Sequence, residues 1–398
     1  MASDARRMWV VVLTVASANA MPAMTVVTLG IVLPEIRASL RLSEVQAGSL
    51  FSALFVAASL ASLVGGRLAD RAGRFAVVLS GLALLAVAGL IAFTGVYAVA
   101  LVFLALAGIG YGFVSVGLYA LLSDLLPARR GLGTGLLSVT YGTGALVGPL
   151  LASAVTAAAG WRAAFVAVGA IGLAMIVLQA LCRRAIETLR AGVVNAPPRS
   201  SGPSLLESVN RDVALVTAAS FCGGALFWAT SSWAPTVLRV DKGLTLGEAA
   251  IAMAAWGAMP MVGAILVGLL TDRLGRRSVM LSIAFPGALA VIGIYELLHS
   301  VTALALGFAL LGLIRSPIPS QVVALGQDSA EDHATATASG LVMSGYYAAA
   351  VVVPLITGAV IASLHDGVLT MAIVVPVGLC LFGGLIAAVR ERSRSHAG

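Results

Sequence analysis

Gly66-Arg67-Leu68-Ala69-Asp70-Arg71-Ala72-Gly73-Arg74 separates two apolar stretches, and it returns 202 positions later (66 to 268) as Gly268-Leu269-Leu270-Thr271-Asp272-Arg273-Leu274-Gly275-Arg276. The repeat extends outward from these loops. Ser43-Glu44-Val45-Gln46 and Thr245-Leu246-Gly247-Glu248, again 202 apart, both have the side chains of a helix capping box. Pro34 is echoed by Pro235. A cap, a helix-ending proline and a charged loop that repeat at nearly one offset predict a duplicated helical unit.

Between such loops the chain is apolar. Of 398 residues, 60% are hydrophobic and 10% charged, against roughly 45–50% and about 25% in a soluble domain. Too little polar surface remains to face water, so the solvent is lipid; a soluble enzyme and a disordered chain are both excluded. Charge clusters and Pro/Gly punctuation divide the sequence into spans at roughly 9–33, 45–64, 75–95, 98–122, 132–156, 162–181, 213–237, 248–270, 278–297, 301–325, 336–362 and 368–388. Their Ala- and Gly-rich composition points to closely packed helices and not to a β-barrel. The expected architecture is all-α, with twelve transmembrane helices in two pseudo-symmetric six-helix bundles. Residues 1–181 form the first bundle, 182–212 a cytoplasmic linker, and 213–398 the second bundle with its tail.

Arg6 and Arg7, the apolar run Trp9–Ala16 and Ala18-Asn19-Ala20 imitate a cleavable leader. The apolar run continues to Leu33, which predicts a retained first span. With the N-terminus inside, 18 of the 24 Lys and Arg residues fall on the cytoplasmic side. Arg37, Arg41, Arg162, Arg239 and Lys242 fall outside, and Arg315 lies within a span. This bias places both termini in the cytoplasm of a multi-pass inner-membrane protein. The net charge of +7 is therefore a topology signal and not a nucleic-acid footprint. Cys182, Cys222 and Cys380 show no pairing motif, and His299, His333, His365 and His396 have no nucleophile or metal spacing around them. No cofactor, metal site or catalytic residue is expected.

Every acidic residue lies in a loop or at a span end, so no intramembrane carboxylate serves as a proton relay. Arg315 is the one mid-span charge. Burying an unpaired guanidinium there costs on the order of 3 kcal/mol. With no protein carboxylate at its depth, its expected partner is a visiting anion held by the guanidinium fork. Ser316-Pro317-Ile318-Pro319 breaks the helix beside it and frees backbone groups. The alternative role for Arg315 is structural, bonded to those freed carbonyls or to Tyr and Ser side chains.

The chain resembles the major facilitator superfamily over its whole length. The resemblance is carried by Asp70, Arg71, Gly73 and Arg74, their echo Asp272, Arg273, Gly275 and Arg276, and Gly160-Trp161-Arg162-Ala163-Ala164-Phe165. It implies two bundles that rock about a central site, with the charged loops as latches and a monomeric carrier. It also implies that the first, fourth, seventh and tenth spans line a cavity, which offers Asn19, Tyr111, Ser115, Tyr119, Trp228 and Gln321. Tyr141 and Tyr346, equivalents 205 apart, stand in the neighbouring fifth and eleventh spans. Trp233 is expected as an interfacial anchor. Gly135, Gly144, Gly148 and Pro149, with Ala152 in place of a final glycine, resemble the gating motif of antiporters and drug exporters. Trp233-Ala234-Pro235-Thr236 resembles organic-acid carriers. The chain lacks the acidic first-span motif of aromatic-acid carriers, and Leu104 stands where the proton-coupled exporters have an arginine. The leading expectation is a carrier of a small organic anion of monocarboxylate or aromatic-acid type. A drug exporter is the alternative.

Overall fold

A computed structural model describes residues 2–126, 130–191, 210–316, 318–330 and 335–390. The first span is built from α1 (Ala2–Ser17) and α2 (Ala20–Ile31), followed by the short α3 (Leu33–Leu40). The rest of the first bundle is α4 (Glu44–Ala72), α5 (Arg74–Ala86) with a 3-10 extension over Val87–Phe93, α6 (Tyr97–Leu125), α7 (Arg130–Ala159) and α8 (Trp161–Ala191). The second bundle comprises α9 (Arg211–Val240), α10 (Leu246–Leu274), α11 (Arg276–Leu297), α12 (Val301–Arg315) with α13 (Ile318–Ser329), α14 (Thr335–Leu364) and α15 (Gly367–Ala388). Twelve of these stretches are long and apolar enough to cross a membrane. Their outer faces leave residues such as Leu63 at 76% and Leu181 at 78% exposed, a surface suited to lipid and not to water.

The duplicated signals take the same form in both bundles. Ser43 and Thr245 each close a reciprocal capping box, with Gln46 and Glu248 respectively. Gly73 (φ +94°) and Gly275 (φ +79°) turn the chain between paired helices, in a region that side chains with a Cβ enter only under strain. Arg74 pairs with Asp124, and its counterpart Arg276 pairs with Asp328 at 2.8 Å. These pairs tie the third span to the fourth and the ninth to the tenth.

Two features depart from the spans read in the sequence. α8 runs to Ala191, supported by an Arg183–Glu187 pair one turn apart, so residues 182–191 are helical. The first span is interrupted at Ala18 and Asn19, where the backbone N–H groups bond three residues back to Val15 and Ala16. The Asn19 side chain leaves its own helix and donates to the Leu137 carbonyl of α7 at 2.8 Å.

Prolines within helices recur at close helix crossings. A proline cannot donate to the carbonyl four residues earlier, so Pro149, Pro235 and Pro260 leave Ala145, Ser231 and Trp256 without that bond. A glycine from another helix lies on each of these carbonyls. A Cβ at Gly257 would sit 2.4 Å from Ala145 O, one at Gly30 2.5 Å from Ser231 O, and one at Gly312 2.4 Å from Trp256 O. Two of these crossings, α7 with α10 and α2 with α9, join the bundles.

The bundles also meet through α4 and α14, where Ser52 Oγ donates to Val351 O at 2.6 Å. Gly48 and Gly358 lie on the backbone of Pro354 and Glu44. These crossings occupy the half of the molecule remote from Ala191 and Asn210, hereafter the far end; the opposite end is the linker end.

Candidate functional site

Arg315 is the fifteenth residue of the 29-residue tenth span, Val301–Ser329. At about 1.5 Å per residue it lies roughly 21 Å from the start of that span, close to half depth. The helix stops there: α12 ends at Arg315, and the Ser316 hydroxyl crosses to the carbonyl of Pro260 at 3.2 Å. Pro317 lies outside the described residues.

Among the described residues the Arg315 guanidinium has no ion pair and no hydrogen bond. Its Nε is buried without a partner. Its central carbon lies 4.1 Å from the ring centre of Phe227 and 4.4 Å from that of Trp256, and these rings stack at 5.3 Å. Each contact is worth about 0.5–2 kcal/mol. Together they hold the cation over an aromatic floor and leave its hydrogen-bonding capacity unspent. The hydroxyls of Tyr346, Tyr141 and Tyr111 lie within electrostatic reach.

Aromatic residues continue across the bundle interface. Trp228 packs on Phe227 at 4.4 Å, on Phe55 of the first bundle at 4.3 Å and on Tyr346 at 5.5 Å. Trp228 is buried, and its indole N–H donates to Tyr346 O at 3.0 Å, so it forms wall structure behind the site. On the opposite side Tyr111 and Tyr141 join hydroxyl to hydroxyl at 3.4 Å. The sequence reading missed Phe227, Trp256, Phe55 and Tyr347. The one signal that could have found Trp256 is its place four residues before Pro260.

The other candidates are dispersed. Asn19 is committed to α7. Ser115 is half-buried on α6. Tyr119 lies two turns closer to the linker end than Tyr111, within electrostatic reach of Tyr141 and Tyr347. It is nonetheless 47% exposed. Gln321 Oε1 on α13 is buried without a partner. Trp233 is not an interfacial anchor: it is fully buried and donates to Pro354 O at 2.9 Å, because Pro235 and the α14 crossing draw that helix inward.

In the motif loops Arg71 and Arg273 are exposed, while Arg74 and Arg276 are paired as described. The side chains of Asp70 and Asp272 lie outside the described residues. In α7, Gly144 and Gly148 face α2 of the same bundle, whereas Gly142 and Ala145 meet α10. Gly135 has open space around it, and Pro149 lies inside the helix.

The far end is closed by charge. Arg239 of α9 grips Glu35 of α3 through both nitrogens, at 2.7 and 2.6 Å, and also donates to Ile31 O at 3.2 Å. A cavity of about 220 Å³ beside this pair is lined by Arg37, Glu44, Trp233, Thr236, Asp241 and His365. The Asp241 carboxyl is pushed above its ordinary value by partial burial, against which the Gly367 N–H works (3.2 Å), while Asp366 adds to it. A carboxyl raised in the packed state favours that packing as pH falls through the raised value. The Glu35–Arg239 side chains are only 24% and 19% exposed, and a bidentate pair of this kind contributes about 1 kcal/mol. Glu35→Gln is expected to raise the labelling rate of a cysteine placed at Val32, in a background without native cysteines, by roughly fivefold. Arg239→Glu combined with Glu35→Arg restores protection. An unchanged rate in Glu35→Gln would show that the pair does not hold this end shut.

Twelve spanning helices in two duplicated bundles, meeting at a polar mid-depth centre, make this a transporter and not an enzyme. The chain belongs to the Major Facilitator Superfamily, whose family model matches residues 15–354 and 238–397. It is similar to the probable sulfoacetate transporter SauU of Cupriavidus necator, 27% identical over 363 residues, which cover 83% of this chain and 82% of that protein. It is also similar to the multidrug resistance protein MdtL of Escherichia coli, 30% identical over 236 residues, 58% of each protein. Among solved structures, a D-xylose-proton symporter shares the fold with a TM-score of 0.75 at 16% identity, covering 97% of this chain and 98% of that one.

Proposed function

We propose that this chain is a secondary active carrier that binds a small organic anion at Arg315 and moves it by alternating access. One observation carries the reading: a mid-depth guanidinium rests on Phe227 and Trp256 with no counter-ion and no hydrogen bond among the described residues. A site that keeps a cation's donors unspent in an apolar span suits an acceptor that arrives and leaves. The similarity to a probable sulfoacetate transporter supports an anionic cargo. The positive-inside bias puts the linker end, both termini and the link between α8 and α9 in the cytoplasm of a bacterial inner membrane, with the two bundles as the rocking bodies of a monomer. The described state is then open to the cytoplasm and closed outside by Glu35 and Arg239.

A second reading, export of hydrophobic drugs, is favoured by the Gly144-Gly148-Pro149 pattern and the similarity to MdtL. Proteoliposome uptake separates the two. Under the anion reading, labelled C2–C8 carboxylates and sulfonates are taken up and unlabelled acids compete, while lipophilic cations neither enter nor compete. Transport of lipophilic cations with no uptake of any acid would establish the second reading instead.

A further inference from the structure

Arg315 belongs to the second bundle, and the Tyr111–Tyr141 hydroxyl pair belongs to the first. A ligand held by Arg315 alone would bind equally well in every arrangement of the bundles, and such a ligand shifts no conformational equilibrium. Cargo that drives rocking touches both walls. The first-bundle wall offers a specific second contact at this depth. Tyr141 is half-buried, its hydroxyl lies within electrostatic reach of Arg315, and its one hydrogen-bond partner among the described residues is the Tyr111 hydroxyl, at 3.4 Å. Tyr111 is 6% exposed and stands behind Tyr141. Each phenol has one proton and two lone pairs, and one bond between the two leaves a second O–H free to donate. The wall carries no Lys or Arg at mid-span, so it meets a neutral oxygen more readily than a second anionic group.

Resting on the anion reading above, we infer that the cargo is a two-headed monoanion: an acidic group on Arg315 and, separated from it by a short apolar spacer, an uncharged hydrogen-bonding oxygen on Tyr141, with Tyr111 as its positioning residue. The aromatic wall formed by Phe227, Trp228 and Tyr346 suits the spacer.

The test is competitive binding of matched four-carbon acids (butyrate, 4-hydroxybutyrate and succinate) to the purified full chain, read by thermal shift and by competition. In the wild type, 4-hydroxybutyrate is expected to bind about tenfold tighter than butyrate, the value of one well-made hydrogen bond. Tyr141→Phe removes that ratio. Tyr111→Phe reduces the ratio while the protein keeps its melting temperature. Equal affinity for butyrate and 4-hydroxybutyrate in the wild type, or a ratio that survives Tyr141→Phe, overturns the two-headed cargo while leaving the anion site standing. Succinate binding tighter than 4-hydroxybutyrate overturns the neutral second head. Failure of every acid to bind, or binding undiminished in Arg315→Ala, overturns the anion reading itself.

Discussion

Arg315→Ala is expected to lower affinity for every transported acid by a factor of roughly 100 or more, since two charge-assisted hydrogen bonds contribute about 3 kcal/mol between them. The same variant is expected to melt within about 2 °C of the wild type. Removing the cation relieves an insertion cost on the order of 3 kcal/mol and forfeits two aromatic contacts of about 0.5–2 kcal/mol each, so the opposing changes nearly cancel. The combination matters because a structural arginine behaves differently. An arginine bonding helix carbonyls would leave those acceptors unsatisfied on removal and cost the fold 1–3 kcal/mol each. Arg315→Lys keeps the charge over Phe227 and Trp256 but loses the planar fork, so its affinity falls between the two. Thermal melting with and without acid reads both quantities from one preparation. A large drop in melting temperature with unchanged acid affinity would return Arg315 to a structural role.

The sequence was most legible where a local rule appears twice. The capping boxes at Ser43 and Thr245 form as their spacing demands, and the left-handed turns fall on Gly73 and Gly275. Arg315 stood out because one charge among apolar residues has a cost that any reader can estimate. Its surroundings did not stand out. Phe227, Trp256 and Phe55 read as ordinary lipid-soluble residues, since a ring that packs and a ring that supports a cation have the same composition and the same period. The interruption at Ala18 and Asn19 has a local cause in Pro22, which cannot donate to the Ala18 carbonyl four residues earlier, but the seat of the Asn19 side chain has none. The acceptor that holds the Asn19 side chain is a carbonyl 118 residues away, a contact that only the assembled bundle supplies. Trp233 misled for the same reason: aromatic residues near span ends usually mark the interface, and here a proline-bent crossing encloses one.

Gly144→Val is expected to be the most damaging single substitution in the glycine pattern of α7. A Cβ at this position would stand 2.2 Å from Ala20 O and 2.9 Å from Ala20 C and Cα. All three are backbone atoms at the start of α2, immediately after the Asn19 interruption, so no side chain can rotate away. Relief requires α2 to withdraw from α7, which also pulls Asn19 from the Leu137 carbonyl four residues before Tyr141. Overpacking costs about 1–3 kcal/mol where neighbours can yield; here they are main chain, and the loss of a buried amide bond adds about 1 kcal/mol. A fall of about 3 kcal/mol or more in stability is therefore expected, read as lost monodisperse protein and a lower melting temperature. Gly135→Ala in the same pattern meets nothing within 4 Å and is expected to be neutral or to stabilise the helix by up to about 1 kcal/mol. The two outcomes divide the pattern: Gly144 serves the seat of the first span on the fifth, whereas α7 faces the other bundle through Gly142 and Ala145. If Gly144→Val folds normally yet blocks transport, the pattern acts in gating and not in packing. If Gly135→Ala is as damaging as Gly144→Val, close approach to α2 does not explain either glycine.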